Sequence, residues 1–485
     1  MTTLPQSTAK EAPFSANGHP ASETPPLIQP DAGDGPFSPG KITLTLGLIL
    51  TIGGVAFETL AVATILPAVV DDLGGLHLYG WAFSAFLLAQ LVGIVVAGLM
   101  ADARGPILPF ALGVLLFAAG LLVGGLAPTM LVLILGRALQ GLGGGAIGSI
   151  AYVAVGRGYS EAAKPRMLAL LSTAWVVPGL VGPGLSGIMA EALGWRSVFL
   201  VLAPLPILSG LLAVPSLRRM GAGTPSPDGR VRTISAIVLA AGAGMFLTGI
   251  AQSNLTVAVP LAAAGLALTV PALRRLLPDG TLRASPGMPA AVATMGLINL
   301  AFFGVDAFVP LALVDVRETS IAFAGLALTA TTIMWTTGSW VQARTASRVS
   351  RRLMARIGLA ILVATFIGTA VLLLPRVPVL LAPVIWGVAG LGMGLGYTTL
   401  SLTMLELAAP GQEGDASASL QLASVLGSGF GAGIGGAFIA LLQTRGEPVG
   451  QALLLQFGLM TVVAVLGLIT ARGLPTRISA ARSLP

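Results

Sequence analysis

An all-α polytopic membrane protein with fourteen transmembrane helices is predicted by three features of this sequence. The first is composition. Of 485 residues, 55% are hydrophobic and only 9% are charged, whereas soluble globular proteins carry about 25% charged residues. Glycine, at 64 residues, runs at roughly twice its usual share, and Gly and Pro are both more frequent in membrane helices than in soluble ones. The second feature is a series of long apolar runs. The third is the placement of Lys and Arg.

A spanning helix needs about 20 predominantly apolar residues. Residues 1–40 contain no such run; they are rich in Pro, Ser, Thr, Ala and Gly and read as a disordered tail. The tail lacks the basic start and apolar core of a secretory signal, so the first hydrophobic run is expected to be a retained span. Runs at 43–66, 81–101, 107–127, 130–155, 167–190 and 198–215 form an N-terminal six-helix bundle within residues 41–215. Residues 216–287 hold basic loops with two further runs between them, at 234–251 and 256–272. The last six runs, at 288–313, 321–341, 357–374, 379–404, 417–441 and 449–470, form a C-terminal bundle within 288–472, and 473–485 is a second tail.

The charges test this count. With the N-terminus inside, Arg196, Arg317, Arg376 and Arg445 lie outside and Arg137 lies within a span; every other Lys and Arg is cytoplasmic. The inside segments include "SLRRMGAGTPSPDGRVR", "RRLLPDGTLR" and "RTASRVSRRLMAR". This is the positive-inside pattern. Both loops flanking 234–272 are basic, so that segment crosses an even number of times and reads as a helical hairpin inserted between two sets of six. One inside loop, "ELAAPGQEGD" (406–415), is acidic, although acids count little in the rule. The expected location is the plasma (cytoplasmic) membrane, with both termini cytoplasmic. Topology thus accounts for the pI of about 10.5, with attraction to anionic lipid head groups as a by-product. No nucleic-acid partner is expected.

Several chemistries are excluded. There is no cysteine, and the two histidines, His19 and His77, fall in the tail and a short loop, so no metal site, thiolate or histidine relay is expected. An enzyme is not expected, because no clustered carboxylates or triad residues are available. "GGGAIG" (143–148) and "GAGIGG" (431–436) fit the dinucleotide fingerprint. Both lie within apolar spans without a preceding strand, so they are helix-packing glycines. No G-x-x-x-x-G-K-[ST] occurs, which leaves no site for ATP.

Four motifs stand in order in the first half. "FETLAVATILP" (57–67) carries a carboxylate, Glu58, within an apolar run, and ends at Pro67. "GLMADARGP" (98–106) ends the second run, "LGRALQGLGGG" (135–145) lies in the fourth, and "PGLVGPGLSG" (178–187) in the fifth. Together these resemble the major facilitator superfamily, and within it the fourteen-helix drug:proton antiporter branch. Glu58 takes the Asp position of L-D-x-T-I-V-x-V-A-L-P. Gly98, Ala101, Asp102 and Gly105 match G-x-L-A-D-R-x-G-R-K, in which Ala103, Pro106 and Ile107 depart and Arg104 is the one nearby base. Arg137, Gln140 and Gly141 match R-x-x-Q-G. Gly182, Pro183 and Gly187 match the antiporter signature G-P-x-x-G-G, with Ser186 replacing its first final glycine. "GSWVQARTASRVSRR" (338–352) is a loose second-half echo of the turn at 98–106. The resemblance implies the major facilitator fold, two six-helix bundles plus an inserted two-helix hairpin, and a cytoplasmic latch between the halves at Gly98, Asp102, Arg104 and Gly105.

A charge inside a span costs about 2.5–3.5 kcal/mol at the helix centre, so each one needs a reason. Only Glu58, Arg137 and Asp306 lie clearly inside the predicted spans. At about 1.5 Å per residue, all three sit about 10–13 Å below the outer ends of their runs. The resemblance brings the first and fourth helices to one central cavity, where Glu58 and Arg137 can meet. A carboxylate's proton affinity depends on hydration and nearby charge. A conformational change that alters either would couple proton exchange to transport. The bland alternative is a static ion pair that only fixes helix packing; for Asp306 it is a satisfied carboxylate near the outer interface. Gln90, Gln140, Tyr152, Trp175, Asn299, Trp335, Gln342 and Trp386 are the candidates for lining a cavity that accepts amphiphiles.

The expected function is secondary active transport: proton-coupled export of lipophilic or cationic small molecules by alternating access. The chain is expected to act as a monomer, with a small-molecule substrate, protons and the lipid bilayer as partners, no ATP, and the proton gradient in place of a cofactor. The alternatives are a lipid or lipophilic-metabolite exporter or flippase of the same fold, which needs a lateral opening, and a non-transporting membrane sensor.

Overall fold

The computed structural model describes residues 35–160, 163–223, 228–346, 348–408 and 413–476. Most of the two expected tails and part of the acidic loop fall outside the described residues. Among the described residues the regular elements are all helical, and fourteen are long and apolar enough to cross a membrane. They are α1 (Ile42–Leu73), α2 (Leu76–Arg104), α3 (Ile107–Gly125), α4 (Met130–Gly158), α5 (Arg166–Leu193), α6 (Arg196–Leu217), α7 (Gly229–Ile250), α8 (Leu255–Leu276), α9 (Met288–Val316), α10 (Ile321–Thr345), α11 (Arg351–Leu372), α12 (Val379–Leu407), α13 (Ala418–Gln443) and α14 (Val449–Gly473). Each predicted run falls on one of them.

Two ends differ from the sequence reading. Pro67 does not close α1; the helix continues to Leu73. A proline removes one backbone donor, a loss that neighbouring helices absorb within a membrane. The stop comes at Gly74, whose φ of 67° ends the helix while its N–H bonds the Val70 carbonyl. The second difference is in α9. Its regular helix ends at Asp306, and after a break the chain winds through Val309–Leu311 and a wide turn at Ala312–Val316. Asp315 is therefore part of the membrane segment, although the predicted run stopped at residue 313.

In the N-terminal half α1 packs on α5 and α6, while α4 packs on α2 and α3. In the C-terminal half α9 packs on α13 and α14, and α12 on α10 and α11. The hairpin helices α7 and α8 pack on each other, and α7 also lies against α2 and α13. The halves meet along two seams, α5 with α10 and α2 with α13.

We call the side bearing the N-terminal residues and basic loops the tail side. The seams are closed on the far side. There the Tyr79 hydroxyl donates to the Ala307 carbonyl at 3.2 Å and Ser84 to Gly429 at 2.9 Å. The Glu191 carboxylate accepts from the backbone N–H of Ala322, at the start of α10, at 2.9 Å. Among the described residues, two tail-side ion pairs each lie within one half: Asp102 with Arg157 at 2.7 Å, and Arg351 with Glu406 at 2.6 Å.

The expected orientation has a direct test, because the chain has no cysteine. Cysteine introduced at Ser285, in the loop after α8, should react with an impermeant maleimide only when the inner face is exposed. Labelling from outside intact cells would contradict the even crossing of the hairpin. The complementary position, Ser226, lies outside the described residues.

Candidate functional site: a buried ion pair and an aromatic wall

Glycine brings the helices of the N-terminal half close enough to bury a charge pair. At Gly141 and Gly145 of α4 a Cβ would collide with the carbonyl oxygens of Phe86 and Gln90 on α2. With backbones this close, Arg137 one turn away reaches both α2 and α1. Its Nε donates to the Ala82 carbonyl at 3.0 Å, and its Nη1 donates to Glu58 Oε1 and to Gln140 Oε1, the latter at 2.5 Å. The guanidinium also lies over the Phe86 ring, 4.3 Å from the centroid, a cation–π contact that strengthens where water is excluded.

Both partners are sealed, Glu58 at 2% and Arg137 at 1% relative exposure. The pairing expected from the sequence is thus present. Breaking such a pair by removing one member costs about 3–5 kcal/mol, because the other is left as an uncompensated buried charge. Glu58 Oε2 accepts no hydrogen bond from the protein. One oxygen is tied to the guanidinium and the other has no donor among the described residues.

Asp306 does not join this pair. It ends the regular part of α9 and accepts a hydrogen bond from Trp386 Nε1 at 2.9 Å. Trp386 is stacked between Phe302 (5.4 Å) and Phe366 (6.2 Å) and is buried. It is therefore a packing residue rather than part of an open wall. Asn299 and Gln342 are corrected in the same way: both are buried, and Asn299 donates to the Met295 carbonyl at 2.8 Å. Gln140 belongs to the ion pair. Gln90 and Trp335 are partly exposed, and Tyr152 and Trp175 are open, at 53% and 44%. Trp335 contacts Phe303 and Tyr397, both partly exposed, at 6.4 and 5.8 Å. These rings form an aromatic wall that the sequence showed only in part, since Phe303 and Tyr397 looked like ordinary apolar positions.

The latch motif closes on its own half here. Asp102 binds Arg157, which also donates to the carbonyls of Ala101 and Gly221 at 3.3 and 3.2 Å and so holds the chain leaving α6. Gly105 ends α2 with φ 88°, Arg104 is exposed, and Gly98 faces Ser149. The antiporter motif lies on the far-side seam. Gly182 faces Phe57, the Pro183 carbonyl abuts Gly325, and Gly187 packs on the backbone of Ala322. Ser186 donates back to the Pro183 carbonyl at 3.0 Å, so it stays out of the contact. Glu191, one turn beyond Gly187, was missed; its i+4 spacing from a seam glycine was the available signal.

Comparison with known proteins agrees with this geometry. Residues 45–432 match the Major Facilitator Superfamily. A "Probable multidrug-efflux transporter" of Mycobacterium tuberculosis is 26% identical over 445 residues, covering 87% of this chain and 93% of that protein. "Multidrug resistance protein 3" of Bacillus subtilis is 30% identical over 166 residues, 34% of this chain and 32% of that protein. Among solved structures, a bacterial homolog of the human lysosomal transporter Spinster, inward-facing and unoccupied, superposes with TM-score 0.65 at 15% identity, covering 90% of this chain and 98% of that one. A peptide transporter in complex with alafosfalin gives TM-score 0.64 at 15% identity, covering 89% and 95%. At such identity these two structures speak for the fold alone. Fourteen membrane helices in two bundles with an inserted hairpin, the motif order and the match over most of its length make this chain a member of the major facilitator superfamily, a multi-pass membrane transporter.

Proposed function

We propose that this transporter exports lipophilic or cationic small molecules across the plasma membrane in exchange for protons, with both termini cytoplasmic. The observation that carries the reading is the sealed Glu58–Arg137 pair, whose carboxylate keeps one oxygen free of protein donors. The multidrug-efflux relatives support the substrate class. The aromatic wall of Phe303, Trp335 and Tyr397 suits flat apolar or cationic molecules. Proton exchange at Glu58 would be linked to substrate binding between the halves, since opening or closing the seams changes the hydration around the pair. Asp306 is the second candidate carboxylate.

The test is a substrate screen in everted vesicles carrying a pH-gradient dye. Addition of a transported compound should partly dissipate the gradient in vesicles containing the chain and leave control vesicles unchanged. If no compound in a broad panel of cationic and lipophilic dyes does so, the proposal fails. A lipid exporter would instead show flux of labelled phospholipid.

Asp102→Asn tests the latch. Its bond to Arg157 is partly exposed and is worth at most about 1 kcal/mol to stability, so the protein should fold and insert normally. Turnover should nevertheless fall, because Asp102 would have to move between Arg157 and partners on the other half as the tail side closes and opens. Full-speed transport by this variant would reduce Asp102 to a loop residue.

A further inference from the structure

Small residues set the register of the inserted hairpin. Gly242 of α7 lies against Thr269 of α8, Phe246 against Gly265, and Gly249 against Ala262. Carried on toward the tail side, this antiparallel register sets Arg274 and Arg275, in the last turn of α8, level with Ile237 and Ala236 of α7. Arg230 and Arg232, in the first turn of α7, lie about 6–11 Å further along the axis, at about 1.5 Å per residue. The tail-side end of one helix pair therefore carries four arginines.

All four are exposed, and no ion pair or hydrogen bond among the described residues engages their guanidinium groups. Asp228 and Asp279 stand nearby in sequence but pair with none of them. The bundles treat their tail-side arginines differently: Arg157 is held by Asp102, and Arg351 by Glu406. Apolar side chains are exposed among the four free cations. Val231, Ile234 and Ile237 interleave with Arg230 and Arg232 on α7, and Leu282 follows α8 in the loop. A soluble acidic partner would leave this apolar surface facing water. At the edge of a bilayer the same surface meets hydrocarbon, while the arginine stems reach up to the phosphates.

The hairpin is placed to meet lipid. α8 packs chiefly on α7, and Val259, Leu266 and Leu268 on it are exposed. Guanidinium groups match phosphate oxygens in a bidentate fork, and clustered bases beside a membrane helix favour anionic lipid. We propose that the tail-side end of the hairpin is a binding site for anionic phospholipid head groups, with Arg230, Arg232, Arg274 and Arg275 holding the phosphates. The bound lipid has a route to the transporter's moving parts. Ala236, Leu239, Ala243 and Leu247 of α7 share one buried cluster with Leu88 and Leu91 of α2 and Leu426 of α13, so the helix that the lipid holds grips both halves.

The test uses the full chain in nonionic detergent, titrated with phosphatidylglycerol, with phosphatidylcholine and with soluble glycerol phosphate. Bound lipid is counted by native mass spectrometry and the melting midpoint is read on the same samples. Phosphatidylglycerol should bind and raise the midpoint, and the other two should do neither at equal concentration. Arg230→Gln with Arg232→Gln, and separately Arg274→Gln with Arg275→Gln, should each need severalfold more phosphatidylglycerol for the same occupancy. Their lipid-free midpoints should match the wild type, because these groups have no partner to lose. Arg166→Gln with Arg348→Gln, exposed positions on α5 and just beyond α10, should bind as the wild type does. Undiminished binding in either hairpin variant would overturn the four-arginine site. Equal binding of phosphatidylcholine, or an equal loss in the control pair, would overturn it in favour of general adsorption. Equal protection by glycerol phosphate would make it a site for free anions and overturn the lipid as its occupant.

Discussion

Glu58→Gln should abolish uphill export while leaving substrate binding intact. The amide keeps the side chain's shape and can still accept from Arg137, so α1 and α4 stay in contact, at a cost in thermal stability because the buried guanidinium loses its counter-charge. The substitution removes the negative charge and, with it, the site that takes up and releases a proton. Binding and downhill exchange need no net proton movement and should persist in counterflow assays. Concentration of substrate in everted vesicles should fall to the level of vesicles lacking the protein. Glu58→Asp should retain partial activity, because a carboxylate remains; one methylene shorter, it reaches Arg137 less well. Uphill transport by Glu58→Gln at the wild-type rate would reduce the pair to a static helix clamp.

Arg137→Ala should be the more damaging substitution. It removes the partner of Glu58, the donor to the Ala82 carbonyl and the ring contact with Phe86 together. A buried carboxylate without its cation costs about 3–5 kcal/mol, so thermal stability in detergent should drop markedly and transport should be lost. The double variant Arg137→Ala with Glu58→Gln separates structure from function. Neutralising the stranded carboxylate should restore much of the lost stability, since the pair's contributions are not additive. It should not restore uphill transport. Recovery of transport in the double variant would show that the pair holds helices together and nothing more.

The spans were legible because lipid imposes one strong rule, that every backbone polar group be satisfied within a helix; long apolar runs and asymmetric Lys and Arg follow directly. The Glu58–Arg137 pair was legible for a related reason. Charges within spans are so rare here that two of opposite sign at one depth invite pairing. What stayed hidden depends on which faces meet. The Ala82 carbonyl became a partner only because Gly141 and Gly145 draw α4 onto α2. Trp386 looked like a cavity residue until its ring was found between Phe302 and Phe366. Asp102 found Arg157, which is remote in sequence and belongs to no motif. The hairpin could be counted from charge but not positioned, because long apolar runs say that α7 and α8 span the membrane and only side-chain packing decides which seam they cover.

The proposed mechanism stands or falls on Glu58 as the carrier of the exchanged proton. The decisive measurement is proton release from purified protein in weakly buffered detergent, read with a pH dye as substrate is added. The wild-type protein should release protons on binding, and Glu58→Gln should bind the same compound with no release. Undiminished release from Glu58→Gln would contradict this assignment and move the coupling site to Asp306.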